Sequence, residues 1–156
     1  MIEKTTFREH IAQSGGVCPR HSGLIDVCEC NYAFEVGLLN LTGRNFGVSA
    51  GVFNVEANFG DRGGDPFPWL PGLQVGVVNA GGGLQAGFYN IGGSSQIGAI
   101  NADGCVQIGL LNAVINGDSG DYGDCSASLQ IGLINYNPHS IFTCLPIINF
   151  SRGRKD

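Results

Sequence analysis

Three cysteines and a histidine near the start of the chain are the residue types best suited to chemistry. Cys18, His21, Cys28 and Cys30 fall within 13 residues. Zinc prefers such nitrogen and sulfur ligands in tetrahedral sets, and the Cys18–His21 spacing suits one half of a site. The two-residue step from Cys28 to Cys30 is tighter than usual. The segment is therefore a candidate zinc site, and the alternative is that these residues are small buried side chains beside the first strand.

The same segment suggests a second, catalytic interpretation. A cysteine thiolate activated by a histidine is a common nucleophile, and Cys18 could pair with His10, His21 or His139. No local pattern fixes a nucleophile turn or an oxyanion loop around any of them. We therefore expect no enzymatic activity and no cofactor other than this zinc. A Cys/His hydrolase or transferase module is the alternative.

Aromatic residues on two insertions form a candidate partner-binding site. Phe67, Trp69 and Leu70 sit between prolines in PFPWLPG, and Tyr122 lies in a second, acidic insertion. Tryptophan held on a rigid loop is typical of binding hot spots. The alternative is a lid that packs over the rest of the chain.

The segments that must position these residues are short repeats. Four blocks read LQVGVVN, LQAGFYN, SQIGAIN and VQIGLLN, and their glutamines, at positions 74, 85, 96 and 107, are 11 residues apart. FEVGLLN (34–40) and VSAGVFN (48–54) keep the glycine and asparagine but not the glutamine. LQIGLIN (129–135) is a full match, and TCLPIIN (143–149) has Pro146 in place of glycine. The period predicts a repeat domain over 34–150, interrupted at 55–72 and 113–128.

Alternation within each block predicts an all-β fold. Positions 1, 3 and 5 are apolar, which is typical of a half-buried strand. Glycine at position 4 indicates a bend or a close approach, and asparagine at position 7 suits a turn and would form a ladder on stacking. Because identical positions repeat, we expect a β-solenoid of 11-residue units, with about two units per coil. An antiparallel β-meander is the alternative.

The segments outside the repeats are short. Residues 1–33 predict an N-terminal cap segment that combines a short helix with the Cys/His-rich stretch, and residues 151–156 form a basic tail. The helix is expected over 3–13, where Thr6 and Glu9 fit a capping box and two glycines follow.

Composition restricts the partners and the location. Charged residues make up 13% of the chain and the net charge is -5, which gives no basic surface for nucleic acid. The charged N-terminus lacks the apolar run of a signal peptide, and no span is long enough for a membrane helix. We expect a cytoplasmic protein with reduced cysteines, or one delivered to a host or surface by a signal-less route.

The blocks QIGLLN and QIGLIN, with the closing LPIINF, resemble the repeats of a bacterial surface-repeat family over about residues 34–150. The family brings no common activity with it. The spacing Q-x-G-x-x-N is also similar to curlin repeats, which implies a coil of about 22 residues formed by two strands.

These observations predict a non-catalytic protein of bacterial or phage type. We expect it to bind another protein through its regular face and inserted loops, because repeat stacks present extended rigid surfaces. Use as an inhibitor or a delivered effector is the narrower hypothesis, and a homo-oligomer is compatible with the repeats.

Overall fold

A computed structural model describes residues 11–57, 72–115 and 127–152, with side chains for 22–57, 72–115 and 128–151. Every regular element in these ranges is a strand. The expected all-β class is therefore confirmed for the described residues. The predicted helix over 3–13 is wrong at its end, because residues 11–13 belong to the first strand. Residues 1–10 lie outside the described part.

Eight strands form one open sheet in chain order. They are β1 (Ile11–Asn45), β2 (Val48–Glu56), β3 (Leu73–Ala80), β4 (Leu84–Ile91), β5 (Ser95–Ala102), β6 (Val106–Ala113), β7 (Ala127–Tyr136) and β8 (Cys144–Arg152). Each strand from β1 to β7 pairs in parallel with the next. Only β8 is antiparallel to its neighbour.

Each unit pairs with the unit that follows it in the chain. Gln74 pairs with Gln85 and Asn79 with Asn90, so identical positions are neighbours in the sheet. The antiparallel meander is wrong for β1–β7, because it would have paired position 1 with position 7. The expectation of about two units per coil is not met either, because that arrangement would pair residues about 22 apart rather than 11.

The connections between the central strands show that these strands bend. Only residues 81–83 join β3 to β4, although parallel strands normally need a crossover of a dozen residues or more. A straight strand of eight residues would be about 26 Å long, and three residues span at most about 11 Å. The register omits Val77, at position 5, which therefore marks the bend between positions 1–4 and positions 6–8.

Strand β1 is folded back on itself. Asn31 Nδ2 donates to Asn45 Oδ1 at 3.0 Å, across a 14-residue step. A Cβ added at Gly37 would lie 2.8 Å from the carbonyl oxygen of Gly23, again 14 residues earlier. The stacking therefore starts before Phe34, where the repeat was predicted to begin, and β1 runs through the predicted boundary at residue 33 without a break.

The side chains that the sheet buries are polar. Position 2 and position 7 of the units are almost fully buried and carry glutamine and asparagine, whereas apolar neighbours such as Val75 and Val77 are nearly half exposed. An alternating strand usually buries its apolar side. Here the apolar positions lie outside, and the described core is a set of amide side chains.

The last strand ends the parallel arrangement. Residues 143–149 were predicted to be a final repeat, but β8 runs antiparallel to β7, so Asn149 faces Gln130 instead of a seventh-position asparagine. Pro146 has no amide hydrogen, and Ile147 has a φ of 72°, which is rare for a β-branched residue. These two residues lie at the irregularity between Gly132 and Asn135.

Candidate functional site: an amide interior and an apolar exterior

Glutamines at position 2 form a continuous buried column. Gln85 Nε2 donates to Gln74 Oε1 at 3.1 Å, and Gln96 Nε2 donates to Gln85 Oε1 at 3.0 Å. The column continues through Gln107 to Gln130. Gln85 Nε2 also donates to the carbonyl oxygen of Ile91 at 3.1 Å. Because these residues are positions 2 and 8 of one unit, the glutamine side chain bridges the two halves of the bent strand.

Asparagines at position 7 form a second column, as predicted. Asn79 Nδ2 donates to Asn90 Oδ1 and Asn90 Nδ2 to Asn101 Oδ1, each at 2.8 Å. Asn79 Nδ2 also donates to the carbonyl oxygen of Ala86, at position 3 of the next unit, at 3.1 Å. The asparagine thus connects adjacent units through both side chain and main chain, which confirms the expected ladder.

Glycine at position 4 makes room for the asparagine column. A Cβ at Gly109 would lie 2.5 Å from Nδ2 of Asn101 and 3.2 Å from Oδ1 of Asn112, and it would also meet the carbonyl oxygen of Gly98. The same contacts recur at the other position 4 glycines. Main-chain atoms cannot move aside cheaply, so the two residue types at positions 4 and 7 are required together.

The two columns donate in opposite directions along the stack. Asparagine donates to the next unit in the chain, whereas glutamine donates to the preceding one. The amide orientations are fixed because each nitrogen also faces a main-chain carbonyl, Ile97 O for Asn90 and Ala102 O for Gln96. Turning either amide over would set two oxygen atoms against each other.

At the N-terminal end, carboxylates and hydroxyls replace the glutamines. Glu35 and Ser49 occupy position 2 in β1 and β2, and Ser49 Oγ donates to Glu35 Oε2 at 2.9 Å. Glu56 is buried as well, and it accepts from Asn45 N at 3.2 Å and from Gly82 N at 3.1 Å. These carboxylates satisfy main-chain and hydroxyl donors that amide side chains satisfy farther along.

The outside of the sheet carries a continuous apolar surface. We call the outward side chains at positions 1 and 3 of the units, from Phe34 to Ile131, together with Ile148 and Phe150, the apolar face. Ser95 is the one polar residue among these described positions, and none is charged. Ile97 is 60% exposed and Phe34 58%. Exposed apolar patches of this extent mark interaction surfaces.

A second apolar surface lies on the other half of the bent strand. We call the outward side chains at positions 6 and 8, from Leu39 to Tyr136, the opposite face. Tyr89 and Leu111 are its exposed large side chains in β4 and β6. Three of its position 8 residues are alanines, and its register with β8 is interrupted, so it is shallower and shorter than the apolar face.

The structure describes half of the candidate zinc set. Cys28 is buried and bonded in a disulfide, while Cys30 carries a free thiol and is half-buried. A disulfide sulfur is not the thiolate that zinc binds. The side chains of Cys18 and His21 lie outside the described ones, among which no group of three or more His, Cys, Asp or Glu could hold a metal. The zinc site stays a prediction.

The expected reduced state of the cysteines differs from the structure at two positions. Cys105 is also disulfide-bonded, whereas Cys144 is a free and exposed thiol. Of the histidines considered for a nucleophilic pair, His139 lies in the exposed connection before β8, where its amide donates to Asn137 Oδ1 at 2.9 Å. His10 lies outside the described residues.

The predicted partner-binding residues on the two insertions lie outside the described part of the chain. These are Phe67, Trp69, Leu70 and Tyr122. The amide columns were missed as an interior, although a signal was present. Positions 2 and 7 keep glutamine and asparagine in unit after unit, whereas the outward position 1 varies among leucine, serine and valine.

Comparisons with known proteins add no family to this geometry. No protein-family model, curated protein or solved structure matches the chain. Within the described residues there is also no helix long and apolar enough to cross a membrane.

Proposed function

We propose that this chain is a β-solenoid in which one 11-residue unit makes one coil, and that it is a non-catalytic scaffold that binds another protein. The in-register pairing of units 11 residues apart supports the coil size. The connections are hydrogen-bonded in the same way, with Gly81 N to Ile91 O at 3.0 Å and Gly92 N to Ala102 O at 2.9 Å. Hydrogen bonds between coils therefore continue around the bend and the links.

The observation that carries the binding proposal is the reversal of inside and outside. Glutamine and asparagine fill the interior, while large apolar side chains such as Phe88 and Leu110 are more than half exposed. Apolar surface in water is unfavourable by about 25 cal/mol per Å², so covering it on association is favourable. The interior amides hold this surface rigid, which lowers the entropy cost of binding.

Function as a scaffold also agrees with how the interior polar groups are used. The amides of Asn90 and Gln96 each donate both to a neighbouring side chain and to a main-chain carbonyl. Groups committed in this way hold the fold together instead of reacting. Use as an inhibitor or as a delivered effector, and zinc binding by the N-terminal segment, stay predictions.

Affinity capture from the native host cell tests this function. The bait is the purified chain, and a second bait carries Tyr89→Lys and Leu111→Lys on the opposite face. We expect the wild type to retain a protein that this variant loses. His139→Lys, which places a lysine in the exposed connection before β8, is the control and should retain it. Equal recovery on the wild type and on the variant would contradict binding through this surface.

A further inference from the structure

We propose that the apolar face is the contact surface of a symmetric dimer of this chain, which leaves the opposite face free for another protein. This inference rests on the proposed binding function and assigns one occupant to one of the two surfaces. The apolar face is the longer of the two, because the pairing of β7 with β8 places Phe150 beside Leu129 and Ile148 beside Ile131. Both β8 side chains are more than half exposed.

The size of the apolar face matches what a stable dimer requires. Eight strands at about 4.8 Å spacing make it about 34 Å long. Two outward positions on each strand, with the position 5 bend alongside, give about 20 residues, the number that a standard interface of about 800 Å² per partner uses. A single continuous face is therefore large enough for a specific contact.

Charge does not oppose the pairing of two identical faces. In a two-fold interface, each patch meets its own copy, so a patch with net charge would repel itself. The apolar face carries no charged side chain at its described positions, although the chain as a whole has a net charge of -5. The charged residues of the central units are confined to the links, as with Asp103 between β5 and β6.

Side-chain spacing favours a second copy over an unrelated surface. The outward residues repeat in straight columns, as Ile97 and Ile108 do, at the distance between paired strands. Columns with that spacing interdigitate best with columns of the same spacing, at the distance of about 10 Å found between packed sheets. A second copy of this chain presents the same columns.

Sedimentation velocity of the purified chain tests the inference, with matched lysine variants on the two faces. Ile108 is 41% exposed on the apolar face, and Leu111 is 42% exposed on the opposite face of the same strand. We expect the wild type to sediment as a dimer and Ile97→Lys with Ile108→Lys as a monomer of native circular dichroism. Tyr89→Lys with Leu111→Lys should stay dimeric.

Each other outcome overturns the dimer. A monomeric wild type at concentrations of tens of micromolar, or equal dissociation by both variant pairs, would contradict the assigned face. Flotation of the wild type with phosphatidylcholine vesicles, abolished only by the apolar-face pair, would replace the second copy by a lipid surface. A monomer that still captures a cellular partner through Tyr89 and Leu111 would overturn the dimer and leave the proposed function intact.

Discussion

Asn90 lies between Asn79 and Asn101 in the asparagine column, accepting from the first and donating to the second at 2.8 Å in both cases. Its side chain is fully buried, so each of these bonds replaces one that water would otherwise provide. The column therefore acts as one structure, and changing one member affects two neighbours.

Asn90→Asp should destabilise the fold strongly at neutral pH. A carboxylate cannot donate to Asn101 Oδ1 or to Ile97 O, and it adds a buried charge. We expect a loss of about 3 kcal/mol or more in urea unfolding. Burial raises the pKa of the new carboxyl, so the penalty should shrink as pH falls below that pKa. Ala99→Asp, on an outward position, is the control, and equal losses would contradict a buried column.

Gly98→Ala should prevent native folding or cost about 4 kcal/mol or more. The added Cβ would lie 2.5 Å from Nδ2 of Asn90 and would meet the main-chain oxygen of Gly87. Ala99→Val adds two carbon atoms at the neighbouring outward position and should change stability by less than about 1 kcal/mol. Circular dichroism and urea unfolding provide the comparison. A stable Gly98→Ala protein would show that the coils are farther apart than described.

Exchanging polarity at two positions of β6 distinguishes an amide interior from an apolar one. Gln107→Leu removes the donor to Ala113 O at 3.1 Å and to Gln96 Oε1 at 3.0 Å, which should cost about 2 kcal/mol. Leu110→Gln alters a side chain that is 55% exposed and should change stability by about 0.5 kcal/mol or less. Thermal unfolding of both variants measures the difference. If β6 buried its apolar side instead, the order of the two effects would be reversed.

Deleting β8 should cause association through the exposed edge of β7. In the full chain β8 covers that edge, and Ser128 Oγ lies 2.8 Å from Ser151 Oγ across the two strands. Unpaired edges of regular strands promote aggregation. A chain ending at Asn137 should show concentration-dependent light scattering, whereas deletion of only residues 153–156 should not. A truncated chain with unchanged sedimentation would indicate that another feature ends the stack.

Alkylation should separate the cysteines into two groups. Under non-reducing native conditions, iodoacetamide should modify exposed Cys144 fastest and half-buried Cys30 more slowly, and leave Cys28 and Cys105 unmodified. After reduction, peptide mass spectrometry should find all four labelled. Reduction should also lower stability, by about 2–4 kcal/mol for each disulfide lost. Labelling of Cys28 before reduction would contradict its bonded state.

The sequence predicted the repeat spacing and the asparagine ladder because both depend on identity at fixed positions. It did not predict which side is inside. Apolar alternation normally points to the core, but the space between the two halves of a bent unit is crossed by single side chains such as Gln85. Main-chain carbonyls at the bend need donors, which leucine cannot supply and glutamine can.

The early start of the stack was also open to prediction from particular residues. Gly23 and Asp26 have the same spacing as Gly37 and Asn40, with aspartate in place of asparagine. The 14-residue step concealed this relation, because the clear units step by 11. The residues of the two insertions have no such pattern, so no partner in the sheet followed from their sequence.

The opposed hydrogen-bond directions of the two amide columns have an electrical consequence. A row of aligned amides is a row of dipoles, and in an α-helix such a row leaves partial charges at the two termini. Here the Asn90 column and the Gln96 column point to opposite ends of the stack. Their fields largely cancel, so further units can be added without a growing dipole moment or charged ends that would attract ions.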